Sequence, residues 1–425
     1  MRILIVSTSD ATGGAAVAAH RLMEALNNNG EKARMLVRDK QTDDISVVKL
    51  PQQWRHKWSF LWERLTIFSW LHFRRHNLFG LDVANSGADI TQLDCFRKAD
   101  IIHLHWVNQG MLSLRGIRKI LDSGKPVVWT MHDAWPSTAI CHVTMDCKNF
   151  QTICKNCKYL PDGGSEHDLA WHIWRKKLSL YQHRSIAFVA CSKWLERDAK
   201  RSALFQGQSV THIPNPIDTR IFSPGDKNQA RQLLHLPLDK KILLFVAQRV
   251  SNELKGMAYL QKACKQLCEQ QPELKDQLHL LILGGDSSEM NADESGLTCT
   301  AVPYTYDQSA IVNIYRAADA FVLPSLSENL PNTIMESMAC GVPCIGFKVG
   351  GIPEMIDHLK NGYVARYRSA KDLAEGIRWT LFEADSSQLS HEALRKVKQN
   401  YSQQVVAMEY IEVYNEALAQ KQLKL

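Results

Sequence analysis

Glu328 and Glu336 stand eight positions apart within residues 324–356, PSLSENLPNTIMESMACGVPCIGFKVGGIPEMI. Pro331, between them, suits the first turn of a helix, where a missing N–H loses no partner. Gly341 suits the position just past a helix end. The spacing predicts a helix over about 331–340, with Glu336 a turn and a half inside it and Glu328 on the preceding loop. Free N–H groups at such a helix start favour an anion such as phosphate. Two carboxylates beside an anion site can hold the hydroxyls of a nucleotide and a sugar. Upstream, Gln248-Arg249 ends an apolar run and Lys255-Gly256 opens the next helical stretch. Cations there could neutralise a bound anion. One charge pair at about 4 Å gives roughly 4 kcal/mol at an effective dielectric near 20, before desolvation is set against it.

These groups need elements to position them. The chain opens with an apolar run at 3–6, a loop ending in Gly13-Gly14, and a helix over about 15–28 carrying Ala15, Ala18, Leu22 and Leu26 on one face. Strand, glycine-rich loop and helix begin a doubly wound α/β domain. Further strands are expected at 33–37, 101–107, 127–132 and 186–191. A second series is expected at 241–247, 278–283, 320–324 and 343–347. Between the series, Pro214 and Pro216 interrupt any regular element and mark a linker at 212–218. The 425 residues suffice for two separate cores. A formal net charge of +7 is too small to argue for nucleic acid. The N-terminus lacks the features of a signal peptide, and no run of about 18 apolar residues occurs, so a cytoplasmic protein is expected. Eleven cysteines in that setting point to thiols or a metal before disulfides.

The 324–356 stretch, preceded by the strand-like AFVLPS and containing GGIPE, resembles the E-x7-E signature of retaining glycosyltransferases of family 4. That resemblance implies the GT-B fold: α/β, two doubly wound Rossmann-like domains facing across a cleft. It is strongest over 241–356, moderate over 1–30 and 99–160, and absent over 40–98. It implies an acceptor-side domain over 1–217, a nucleotide-sugar-binding domain over 218–402, and a helix within 403–425 that crosses back to the first. By the same resemblance, Glu328 lies near the transferred sugar, and the backbone N–H groups of Asn329 and Leu330 reach sugar or phosphate. Glu336 binds ribose hydroxyls, and Arg249 and Lys255 serve the diphosphate, although Gln248 replaces the usual glycine. Gly13 and Gly14 resemble a loop facing donor phosphates and acceptor. His132 matches a histidine that contacts the donor sugar. Asp133 is the next candidate, for an acceptor contact or for orienting a proton. His103 and His105 share one side of their strand and read as core or cleft-edge residues.

The activity implied is a retaining hexosyltransferase, with a UDP- or GDP-sugar as donor and no catalytic metal. The loop 301–306 lacks the glycine usual in relatives, which leaves the base open. The acceptor expected is a polyprenyl-diphosphate-linked glycan in exopolysaccharide, capsule or O-antigen assembly. Alternatives are a nucleotide-sugar epimerase of the same fold and a zinc-binding interaction protein.

Cys141, Cys147, Cys154 and Cys157 follow His132-Asp133 as C-x5-C-x6-C-x2-C. Four thiols match the ligand count of a structural zinc site. Four free thiols or one redox pair are the alternatives, and His142 is a substitute ligand. The insertion also resembles a branch of family 4 that includes the colanic acid galactosyltransferase. Residues 54–80 interleave four Trp and four Phe with Arg, Lys and His. That mixture suits a helix lying peripherally on an anionic membrane, or a helical pair closing over the first core.

Overall fold

The computed structural model describes residues 1–285 and 295–422. The chain divides into two compact units, Met1–Asn215 with Val406–Leu425, and Pro216–Val405.

The first unit is built on a parallel sheet of β1 (Arg2–Ser9), β2 (Lys32–Asp39), β3 (Val47–Lys49), β4 (Ile101–Leu104), β5 (Val127–Met131), β6 (Ala187–Ala190) and β7 (Ser209–His212). Its order is β3-β2-β1-β4-β5-β6-β7. The central strands are apolar on both faces, as a sheet covered on both sides requires. Along β1 the side chains alternate. Ile3 and Ile5 pack with Ala19, Leu22 and Leu26 of the helix Gly14–Asn28, whereas Leu4 and Val6 join the core on the other face. From Val406 onward the helix Gln403–Gln422 belongs to this unit. Val406, Ala407, Tyr410 and Tyr414, on one helical stripe, pack against Ile3, Val128 and Val189.

The second unit carries a parallel sheet of β8 (Lys241–Arg249), β9 (Leu278–Gly285), β10 (Thr298–Val302), β11 (Ala320–Leu323), β12 (Cys344–Phe347) and β13 (Gly362–Ala365). Among the described residues its order is β10-β9-β8-β11-β12-β13. Leu260, Ala263, Cys264 and Leu267 of the helix Met257–Gln270 pack with Leu373, Ala374 and Ile377 of the helix Ala370–Arg378 on one face.

Two parallel doubly wound domains are the fold class expected. In each sheet the order reverses beside the first strand of the unit, between β1 and β4 and between β8 and β11. Such switch points, at the carboxyl ends of the strands, are where ligands bind in this class of sheet. The helix after β11 spans Asn332–Ala339, shorter than the 331–340 expected. Pro331 has ψ 117°, extended backbone, so it caps the helix instead of occupying its first turn. Gly341, at φ +78°, takes the left-handed position past the end.

Candidate active site

In the second unit three loops meet at the carboxyl ends of β8, β11 and β12. After β8 the chain turns through the short helix Glu253–Lys255 and leaves it at Gly256, whose φ of +77° is left-handed. A Cβ on Gly256 would stand 1.9 Å from the Pro324 carbonyl oxygen, so only glycine lets this loop lie against the end of β11. The Leu326 N–H donates to the Leu254 carbonyl at 2.8 Å and fastens the two loops together. Lys255 Nζ consequently reaches Glu328 Oε1 at 2.5 Å, and the Ser325 hydroxyl donates to the same oxygen at 3.0 Å. The loop after β12 closes on the same place. The Gly351 N–H donates to the Asn329 carbonyl, and a Cβ on Gly350 would overlap the Glu328 carbonyl.

Glu336 lies inside its helix, 9% exposed, and its Oε2 accepts the Tyr315 hydroxyl at 2.8 Å. Leu330 is buried, and Arg249 is exposed at the end of β8. Lys255, Glu328 and the Asn329 backbone are thus drawn together, with Glu336 and Leu330 on the segment that follows. Ser325 and Tyr315 were missed. Ser325 lies in the same stretch as Glu328, whereas no local signal marks Tyr315.

In the first unit, Gly13 caps the helix Gly14–Asn28 with φ +86° and has open space where a Cβ would stand. Near its carboxyl end β1 is held to the segment after β4, the Thr8 N–H donating to the Trp106 carbonyl at 2.8 Å. His132 and Asp133 follow β5. His132 Nε2 meets His105 Nδ1 at 2.9 Å, and its Nδ1 meets the Cys191 sulfur at 3.4 Å. Burial pulls the His132 imidazole down to about 4, so it is neutral at pH 7. His103 is fully buried between the Tyr414 hydroxyl and the Thr130 hydroxyl, both at 2.7 Å. It is a core residue, and burial lowers it to about 3.

Asp133 is anchored. Its Oδ2 accepts from Trp106 Nε1 at 2.9 Å and His142 Nδ1 at 2.7 Å, and its Oδ1 accepts the Trp135 N–H at 2.8 Å. The other ring nitrogen of His142 meets Asp82 Oδ2 at 2.6 Å. Burial opposes charge on this imidazole, but the two carboxylates outweigh it and hold His142 up at about 10. His142 is therefore a charged bridge between carboxylates, and this corrects its reading as a substitute metal ligand. Asp82, buried and also paired with Arg64, is a supporting residue that no sequence signal marked.

The four cysteines are free thiols lining one small cavity of about 20 Å³, with Phe150 and Tyr159. That is room for one water or ion. Burial pushes Cys141 up to about 11, against a smaller opposing pull from Lys177, and pushes Cys157 up to about 12. Among the described residues, no three His, Cys, Asp or Glu side chains converge closely enough to hold a metal as placed.

The aromatic segment forms the helix Gln53–Trp70. Glu63 and Ile67 are buried, while Trp58, Leu61, Trp62 and Leu65 are exposed. Among the described residues no helix is long and apolar enough to cross a membrane.

Residues 12–221 match the family model Glycosyltransferase Family 4, and residues 226–400 match Glycosyl transferases group 1. A D-inositol 3-phosphate glycosyltransferase of Saccharomonospora viridis is 28% identical over 221 residues, 50% of this chain and 51% of that protein. D-inositol 3-phosphate glycosyltransferase 1 of Catenulispora acidiphila is 33% identical over 178 residues, 39% of this chain and 42% of that protein. The chain thus spans about half the length or less of these curated relatives. Among solved structures, sucrose-phosphate synthase from Thermosynechococcus elongatus superposes with a TM-score of 0.66 at 17% identity, covering 99% of this chain and 100% of that one. HepE of Anabaena, in complex with UDP-glucose, superposes with a TM-score of 0.64 at 15% identity, covering 98% and 100%. In sequence the chain is similar to glycosyltransferases in both parts, and its architecture is the GT-B fold.

Proposed function

We propose that the protein is a retaining hexosyltransferase that takes its sugar from a nucleotide diphosphate donor held on the second unit. The observation that carries this reading is the Lys255–Glu328 pair at the β8/β11 switch point, with the Tyr315-supported Glu336 on the helix just beyond. Glu336 would accept ribose hydroxyls, and Glu328 would accept hydroxyls of the transferred sugar. Lys255, with Arg249, would neutralise the departing diphosphate, assisted by the Asn329 and Leu330 N–H groups. In the first unit, the loop at Gly13-Gly14 would leave room for phosphate or acceptor, and neutral His132 would contact the donor sugar. Asp133, ionised and anchored, would orient an acceptor hydroxyl. No side chain is needed as a covalent nucleophile. The departing diphosphate oxygen takes the acceptor's proton as the new bond forms on the same face, and catalysis rests on positioning and electrostatics.

UDP-sugars are the first donors to test, since HepE is seen with UDP-glucose; GDP-sugars are the second. For the acceptor we favour a polyprenyl-diphosphate-linked glycan in surface polysaccharide assembly, as in the colanic acid branch. The exposed aromatic face of the helix Gln53–Trp70 supports peripheral contact with an anionic membrane. A phosphorylated polyol acceptor is the second reading, favoured by the names of the curated relatives. Those names also favour transfer over epimerisation.

The thiol cavity suits one structural zinc ion. A divalent cation would stabilise the thiolates that burial now disfavours and would draw the four sulfurs inward, leaving no open position for catalysis. Metal analysis of protein purified without chelator should find one zinc per chain, and its removal should lower the melting temperature. A metal-free preparation of unchanged stability rejects the site.

The activity is tested by incubating the protein with UDP-, GDP- and ADP-sugars, with and without acceptor. Nucleotide release with one base, and a product whose anomeric configuration matches the donor, are expected. Inversion at C2 of the sugar would establish an epimerase, and failure to bind any nucleotide would reject the enzyme reading.

A further inference from the structure

A second feature of the first unit has the character of a ligand site. Between the end of β2, β3 and the helix Gln53–Trp70 lies a pocket of about 450 Å³, walled by Arg38, Asp39, Lys49, His56, Lys57 and Phe60. Its volume is within the range of small-molecule sites. Arg38 is fixed in place: it donates to both oxygens of Asp39 and to the Gln109 carbonyl, and its guanidinium lies 5.8 Å from the Phe60 ring centroid. Asp39 neutralises Arg38. The exposed ammonium groups of Lys49 and Lys57 keep no carboxylate within ion-pair distance among the described residues, and His56, donating to the Pro51 carbonyl, adds no negative charge. The pocket lining therefore carries net positive charge.

The neighbouring surface is of the opposite kind. Trp58, Trp62 and Leu65 recur along the same helix at 66%, 61% and 57% exposure, beside Leu61 on the pocket rim. Glu63 is the acid of residues 53–80, and it is buried, its Oε1 accepting the Val83 and Ala84 N–H groups. Cationic hollow and acid-free aromatic stripe adjoin on one helix. A phosphate-bearing head with an apolar chain satisfies both, whereas a soluble phosphate would leave the stripe exposed to water.

We infer that the Lys49–Lys57 pocket binds the diphosphate group of a lipid-linked ligand, with the Trp58–Leu65 stripe receiving its chain. This rests on the proposed transferase for the ligand's role as acceptor; the charge and volume of the pocket stand without it. The test is calorimetric titration of the full chain with inorganic pyrophosphate and with farnesyl diphosphate. Wild type is compared with Lys49→Gln/Lys57→Gln, whose positions are exposed, and with Lys255→Ala in the other unit. Pyrophosphate binding should weaken at least about tenfold in the double variant and persist in Lys255→Ala. Farnesyl diphosphate should bind wild type at least about tenfold more tightly than pyrophosphate. Unchanged binding in the double variant, with loss only in Lys255→Ala, overturns this pocket and leaves the donor site standing. Equal affinity for the two probes overturns the lipid source. Loss of nucleotide-sugar binding in all assays, with the pocket intact, counts against the transferase alone.

Discussion

Lys255 and Glu328 meet at 2.5 Å although 73 positions separate them, and the Ser325 hydroxyl reinforces the same carboxylate oxygen at 3.0 Å. The pair is partly open, with side-chain exposures of 32% and 13%, so a ligand can enter and compete for it. A diphosphate would take the ammonium, and a sugar hydroxyl would take the carboxylate, each exchanging one partner for another. Lys255→Ala and Glu328→Gln should therefore each cut kcat/KM by about 100-fold or more, about 3 kcal/mol of transition-state stabilisation. A half-open pair that a ligand can replace adds only modestly to folding, so melting temperatures should move by only a few degrees. Initial rates on the accepted donor, with thermal melts in parallel, check this. Near-normal turnover in either variant would remove the site.

Glu336 has a different environment and should have a different kinetic signature. One of its oxygens is occupied by the Tyr315 hydroxyl within a buried helix. If it binds the nucleotide's ribose, it acts equally in ground and transition states. Glu336→Gln should then raise the donor KM by about tenfold with kcat nearly unchanged. Tyr315→Phe removes a buried donor from the carboxylate and should cost about 1–3 kcal/mol of stability, with a smaller rise in KM. A fall in kcat at constant KM would place Glu336 at the reacting centre instead.

The contrast between these residues shows what the sequence made legible. Glu328, Pro331, Glu336 and Gly341 lie in one short stretch whose loop-helix-turn pattern is local, and the parallel strands read from apolar runs. Tyr315 and Asp82 could not be read, because each reaches its partner through strand order, 21 positions away for Tyr315 and 60 for Asp82. His142 was drawn into the cysteine pattern by adjacency in the chain, whereas two carboxylates hold it. The strands β3, β7, β10 and β13 were missed as well. They are three to five residues long and mix polar with apolar side chains, so their identity comes from pairing with a neighbour.

Two glycines with positive φ should respond unequally to alanine. Gly256 (φ +77°) has the Pro324 carbonyl 1.9 Å from where a Cβ would be, whereas Gly13 (φ +86°) has nothing within 4 Å. Gly13→Ala pays only its backbone conformation, φ +86° with ψ 161°, a region essentially confined to glycine, at about 2 kcal/mol. Gly256→Ala adds a clash that must push the Lys255 loop off the end of β11. It should cost about 3 kcal/mol or more and abolish donor binding at accessible concentrations. Denaturant melts with nucleotide titration decide this, and equal costs at the two sites would contradict the close packing of that loop.

The imidazoles beneath the first-unit site set an acid limit. Burial lowers His132 to about 4 and His103 to about 3, against an ordinary value of 6.5. Both are neutral in the folded protein at pH 7, and the unfolded chain binds their protons first on acidification. Their contribution is fully present above pH 6.5 and is lost as pH falls through about 4. Between pH 6.5 and 5, before most carboxylates titrate, the melting temperature of the first unit should already fall by about 5 °C or more. His103→Gln, which keeps a polar group between Tyr414 and Thr130, should flatten that decline. Melts followed by tryptophan fluorescence, with Trp129 buried on the neighbouring strand β5, measure it. A wild-type profile flat from pH 6.5 to 5 would mean that these rings accept protons without disturbing the fold.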